Sequence, residues 1–271
     1  MVTTRTLDVP GAHLHYEVRG SGPVLVVTGA PMSAAHFAPL ADALADGYTV
    51  VTHDPRGISG STLDDPAQDS TPELRADDLA AILDDLGAGT ADVFGSSGGA
   101  VTGLALAVRH PARVRTLVAH EPPVLGLLPD ADERLAETDD IVGTFHREGP
   151  GPAFAKFMVF AGLDTGAESG APAEPPAEPS AQDMADGARF LGHELRGTAR
   201  YLPDIEALKA GPARVVIGVG ATSGGLVTYR TSMELADRLG SRPAEFPGGH
   251  GGFIEAPGEF AEVLRKVLAG V

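Results

Sequence analysis

Val24 to Val27 is an unbroken apolar run between two turns, the pattern of a strand buried on both faces rather than one. Tyr48 to Thr52, Ala91 to Phe94, Val114 to Ala119 and Val215 to Val219 are further buried-strand candidates, Ala244 to Phe246 is a shorter one, and His13 to Val18 alternates as a half-buried strand does. Helix-periodic segments fill the gaps, at about 38–46, 72–86, 99–109, 228–239 and 258–269. Such alternation calls for an α/β fold, a mostly parallel sheet flanked by helices. Side chains that do chemistry then gather beyond the carboxyl ends of the strands.

The alternation stops between Leu125 and Pro203, where helix-like pieces follow one another without a strand. The pattern predicts a core domain of residues 1–124 and 204–271 and an inserted helical cap of residues 125–203. Because the insertion follows the strand ending near His120, it is expected to lie over the strand ends. Within it, residues 164–186 include Ala-Pro-Ala-Glu-Pro-Pro-Ala-Glu-Pro-Ser, too rich in proline and acid for a packed helix, and read as a flexible linker.

Composition removes several function classes. A formal net charge of −17 without clustered Lys and Arg argues against nucleic acid and against anionic membrane surfaces as partners. The absence of cysteine leaves neither disulfides nor thiolate metal sites, and no metal or cofactor is expected. Met1 to Pro10 lacks a basic stretch followed by an apolar core, and no apolar run approaches the length of a membrane span, so the expected location is cytoplasmic.

Gly95-Ser96-Ser97-Gly98-Gly99 is a Gly-x-Ser-x-Gly pentapeptide between a strand candidate and a helix candidate. A sharp turn there lifts the central hydroxyl out of the sheet, which makes Ser97 the candidate nucleophile. A serine needs a base, and His250, in the glycine loop Pro247-Gly248-Gly249-His250-Gly251-Gly252 after the last strand, is placed to be one. Backbone N–H groups for an oxyanion are expected from Gly98 and from the turn Thr28-Gly29-Ala30-Pro31, where Pro31 has no N–H, leaving Ala30 as the donor and Gly29 as its substitute.

Together these motifs resemble the α/β-hydrolase family over essentially the whole chain, with Thr28 where the family's oxyanion turn has histidine, and Ser59 where its Asp-x-x-Gly-x-Gly-x-Ser turn, here Asp54 to Ser61, has glycine. Many members place an aspartate after the strand corresponding to Val215 to Val219. Here Gly220-Ala221-Thr222-Ser223 has none. Other branches carry their acid at the end of the strand that here precedes Glu121, which makes Glu121 the expected partner of His250, with Asp54, Asp92 and Asp204 as alternatives of ordinary turn, strand-edge and helix-cap type. The segment Pro111 to Pro123 with its His120-Glu121 close, and Pro247-Gly248-x-His250, are similar to the zearalenone-type lactonases, which open macrolactones with a Ser-His-Glu triad.

The resemblance implies hydrolysis of a carboxylic ester or lactone through an acyl-enzyme. Phe154, Phe157, Met158 and Phe190, with Phe160, are candidates for an apolar substrate pocket in the cap. The expected partner is a small-molecule ester or lactone, with a homodimer left open as the assembly. A non-hydrolytic protein of the same fold, a ligand receptor or a biosynthetic cyclase or thioesterase partner, is the alternative.

Overall fold

Successive side chains of a strand point to opposite faces, so an unbroken apolar run is buried only where both faces of its sheet are covered. The computed structural model, which describes residues 1–163 and 180–270, has that arrangement. Its strands are β1 (Val2–Val9), β2 (Ala12–Gly20), β3 (Val24–Thr28), β4 (Thr49–His53), β5 (Thr62–Leu63), β6 (Ala91–Ser96), β7 (Val114–His120), β8 (Arg214–Gly220) and β9 (Ala244–Phe246). They form one sheet in the order β1-β2-β4-β3-β6-β7-β8-β9, with β5 paired to β2. From β4 to β9 every pairing is parallel, while β1, β2 and β5 are joined antiparallel.

Val26, Val93 and Leu117 face one side and pack with helices α2 (Pro72–Asp85) and α3 (Gly98–Arg109). Their neighbours Leu25, Val27, Phe94 and Val118 face the other, against Leu40 and Leu44 of α1 (Ala38–Leu44) and Phe260 and Leu264 of the C-terminal helix, Pro257–Ala269. The sheet is thus the middle of three layers, with a packed core on each face, an α/β-hydrolase fold.

Two strands carry no apolar signal. β1, Val-Thr-Thr-Arg-Thr-Leu-Asp-Val, is mostly exposed and is held at the sheet edge by backbone pairing with β2. β5 is only two residues long.

Between β7 and β8 lie α4 (Ala131–Glu148), α5 (Pro150–Ala161), α6 (Ala181–His193) and α7 (Leu195–Arg200), followed by α8 (Ile205–Ala210). Ile141, Val142, Phe190, Leu191 and Leu195 give the first four a core of their own. The expected linker of residues 164–186 needs correction at its end. Residues 181–186 form the first turns of α6, started by a reciprocal cap in which Ser180 Oγ accepts from Asp183 N (3.1 Å) and Asp183 accepts from Ser180 N (2.9 Å). Residues 164–179 lie outside the described residues.

Helix α6 is fastened to the loops on either side of β5. The N–H and hydroxyl of Ser59 both donate to Asp186 (2.9 and 2.5 Å), and Arg189 donates to the carbonyls of Pro66 and Gln68. Ser59 holds φ +48°, a conformation that suits glycine, and its hydroxyl bond to Asp186 gives serine a role glycine lacks. Among the described residues, no helix is long and apolar enough to cross a membrane.

Candidate active site

Parallel pairing brings the carboxyl ends of β3, β6, β7, β8 and β9 to one edge, with Thr28 beside Gly95, Ser96 beside His120 and Gly220 beside Phe246. The loops leaving that edge carry the candidate residues.

Ser97 sits between β6 and α3 at φ +54°, ψ −123°, a strained conformation for a residue with a side chain. Its N–H donates to the His120 carbonyl (2.9 Å), and the helix starts at once, Ala100 N donating to Ser97 O (2.9 Å). The turn requires glycine after the serine. A Cβ on Gly98 would lie 2.7 Å from the Ala30 carbonyl oxygen, and one on Gly99 would collide with the Thr28 carbonyl. The same contacts bring Gly98 against the turn after β3. Thr28 uses its hydroxyl to pair with the ring of His53 at the end of β4 (2.8 Å).

Glu121 leaves β7 at φ +49° and is completely buried. Oε1 accepts from Gly220 N (2.8 Å), and Oε2 accepts from His250 Nδ1 (2.6 Å) and from Thr228 Oγ1 (3.0 Å). Burial works to raise the pKa of this carboxyl; the hydrogen bond from His250, with the nearby rings of His120 and His250 and the Ser223 hydroxyl, outweighs it and holds the group down at about 2. It is therefore an anion throughout the neutral range. With Nδ1 donating to Glu121, the other ring nitrogen of His250 is the proton acceptor.

Behind this pair, His120 is fully buried among Phe94, Phe246, Phe253 and Phe260. One ring nitrogen meets Ser96 Oγ (3.1 Å), and Nε2 has no hydrogen-bond partner among the described residues. Burial lowers its pKa to about 4, and does the same for His53, so both rings are neutral spacers.

The other acids are committed elsewhere. Asp54 accepts from Ala34 N (2.7 Å) and Gly60 N (2.8 Å), organising the loop, and Asp204 caps α8 through Ala207 N (2.9 Å). Asp92 is not an edge residue: it is buried in the central strand β6 and takes two hydrogen bonds from Arg115 (3.0 and 2.5 Å).

A cavity of about 60 Å³ lies over Ser97 and His250, and Ala30 and Gly98 are in its wall. Gly29 is not; a Cβ there would meet Met32 and Phe37 at 2.7–2.9 Å, so this residue faces packing rather than the cavity. Phe157, Phe160 and Phe190 close the cavity, together with Leu125, Leu195 and Leu226. Two expected pocket residues are corrected. Phe154 is 46% exposed and belongs to an outer groove with Met184, and Met158 is absent from the cavity wall. The helical period explains both: Ala153, Phe157, Phe160 and Ala161 share the inner face of α5, and Phe154 and Met158 are rotated off it.

Thr228, from helix α9 (Val227–Leu239), was not singled out in the sequence, where a threonine in a helix carries no signal. Among the described residues, no group of three or more His, Asp or Glu side chains is placed to hold a metal ion. An imidazole anchored by a buried carboxylate, in the wall of the same cavity as a serine on a strained turn, can take a hydroxyl proton, and N–H groups at a helix start can hold the resulting oxyanion.

The sequence model of the α/β-hydrolase fold matches residues 22–257. The chain belongs to the α/β-hydrolase family. This α/β hydrolase is 35% identical to the uncharacterized hydrolase YraK of Bacillus subtilis, across 98% of this chain and 96% of that one. It is 38% identical to a zearalenone hydrolase of Cladophialophora bantiana over 121 residues, 43% of this chain and 46% of the relative. The solved structure of a thermophilic esterase from Thermogutta terrifontis shares its fold, with a TM-score of 0.75 at 22% identity, covering 100% of this chain and 98% of that one. Hydrolytic chemistry is what this company supports.

Proposed function

We propose that this α/β hydrolase cleaves a carboxylic ester or lactone of a small, uncharged, hydrophobic molecule, with Ser97, His250 and Glu121 as nucleophile, base and orienting acid. The observation that carries the reading is the 2.6 Å hydrogen bond from His250 Nδ1 to a fully buried Glu121, under a cavity that also borders Ser97. His250 takes the Ser97 proton as Oγ attacks the carbonyl carbon, and the oxyanion is held by the N–H groups of Ala30 and Gly98. The imidazolium then gives its proton to the departing alkoxide, leaving an acyl-serine. Water, deprotonated by the same ring, releases the acid and restores the serine.

Helices α4 to α7 act as a cap. Among the described residues that line the cavity only His250 is ionisable, so desolvating a charged substrate there goes uncompensated, and the net charge of −17 repels anions further. The relatives named as an esterase and as a zearalenone hydrolase are consistent with this bond class. The test is turnover of p-nitrophenyl esters and simple lactones against a Ser97→Ala blank. Loss of at least a thousandfold is expected in the variant; a variant that keeps a tenth of the wild-type rate removes Ser97 from the reaction.

A further inference from the structure

Glu121 receives more than the imidazole. Its Oε2 is shared by two donors, His250 Nδ1 and the hydroxyl of Thr228, and Thr228 also stands in the wall of the cavity over Ser97. We propose that Thr228 is a positioning residue for the reaction at Ser97, its hydroxyl fixing the orientation and moderating the charge of the carboxylate that holds His250. This rests on the assignment of Glu121 as the orienting acid.

Thr228 lies in the first turn of α9, and the start of that helix is bonded twice to the residues that follow β7. Thr228 Oγ1 donates to Glu121, and Thr231 Oγ1 donates to the Pro122 carbonyl (2.6 Å). Thr228 is 7% exposed and Thr231 fully buried, so neither bond competes with bulk water. A threonine hydroxyl has one proton, and giving it to Oε2 settles the direction of the bond. The Gly220 N–H fixes Oε1, Thr228 and His250 meet at Oε2, and the carboxylate plane is determined by three donors from separate elements.

The second effect is on charge. The titratable groups facing this carboxylate are His250, from the loop after β9, and His120, from β7; its remaining neighbours, Gly220, Ser223 and Thr228, are neutral. A neutral donor at Oε2 stabilises the anion whether or not His250 is protonated. Removing it leaves more negative charge for the imidazolium to neutralise, which favours the protonated ring and moves the acid limb of activity to higher pH.

The experiment compares wild type, Thr228→Val, Thr228→Ser, Glu121→Gln and the double variant Glu121→Gln/Thr228→Val on one p-nitrophenyl ester, with folding checked by circular dichroism. Thr228→Val keeps the shape and loses the donor. The expected result is a fall in kcat of about tenfold with KM within about twofold, the scale of one hydrogen bond to a charged group. The acid limb of kcat/KM moves up by roughly half a pH unit. Thr228→Ser restores both, and the double variant is no worse than Glu121→Gln alone. The proposal is overturned if Thr228→Val is folded with unchanged kcat and acid limb, if Thr228→Ser is as impaired as Thr228→Val, or if the losses in the double variant multiply. Near-normal turnover by Glu121→Gln is a different failure, that of the acid assignment itself.

Discussion

Two histidines buried as neutral rings make the fold sensitive to mild acid. His53 and His120 are each almost or completely shielded from solvent, each has one ring nitrogen without a hydrogen-bond partner among the described residues, and burial lowers each from the ordinary 6.5 to about 4. A folded-state pKa below the unfolded one stabilises the fold above pH 6.5, and the contribution is lost as pH falls from 6.5 through 4. At pH 5 the unfolded ring binds its proton and the folded one does not, which costs about 2 kcal/mol per histidine. Together that is about 4 kcal/mol, against a typical domain stability of about 5–15 kcal/mol. Glu194 and Asp78, whose buried carboxyls are raised, gain protons more readily in the fold and pull the other way. Comparing wild type with His53→Gln cancels their share. Urea unfolding followed by circular dichroism at pH 7.5, 6 and 5 should show wild type losing stability on acidification and the variant losing about 2 kcal/mol less over the same span. Equal pH dependence in the two proteins would refute the assignment of the loss to a buried neutral ring.

Glu121→Gln should lower kcat by about 10⁴ in the ester assay, since the amide can present a donor to His250 and favour the wrong tautomer; adding Ser223→Asp to Glu121→Ala should recover part of the rate, and a normal rate from Glu121→Gln would send the search to another acid. Gly99→Ala should destabilise the protein by about 2 kcal/mol or more, because its methyl runs into the Thr28 carbonyl, and an unchanged melting temperature would contradict that contact. Phe160 borders both the cavity over Ser97 and the open groove between α4 and α5, so Phe160→Ala should join the two and raise kcat/KM for long-chain relative to short-chain esters. An unaltered chain-length profile would show that the ring does not limit the cavity.

The parallel part of the sheet was legible because both faces are covered: Val24–Thr28 and Arg214–Gly220 advertise burial in their composition alone. β1 was not, since an edge strand held by backbone bonds can be written in Thr and Arg. The start of α6 was hidden by proline density, although Ser180 and Asp183 already spelled a helix cap. Ser97 and His250 stand out through local glycine patterns. The meeting of Glu121 with His250, across 129 positions of sequence, was expected through the family resemblance, from the branches that carry their acid at this strand end and from the missing aspartate near Ser223. Thr228 could not, because its contact depends on how α9 docks. Nor could composition say which aromatics of α5 face inward; the register of the helix decides that Phe157 does and Phe154 does not.

Ser97 and Glu121 belong to one contiguous crossover, β6–α3–β7, whose register sets Ser96 beside His120 and whose Ser97 N–H is tied to the His120 carbonyl. Their separation is inherited from the assembly of that single segment, and the helices inserted after β7 can be lengthened or replaced without altering it. Of the three, His250 alone comes from the far end of the chain, in the loop that follows β9, the strand paired with β8. The imidazole is in this sense a checkpoint on complete folding. On the proposed assignment of Ser97, Glu121 and His250, a truncated chain that stops before β9 would hold the serine and the carboxylate without a base and would hydrolyse nothing.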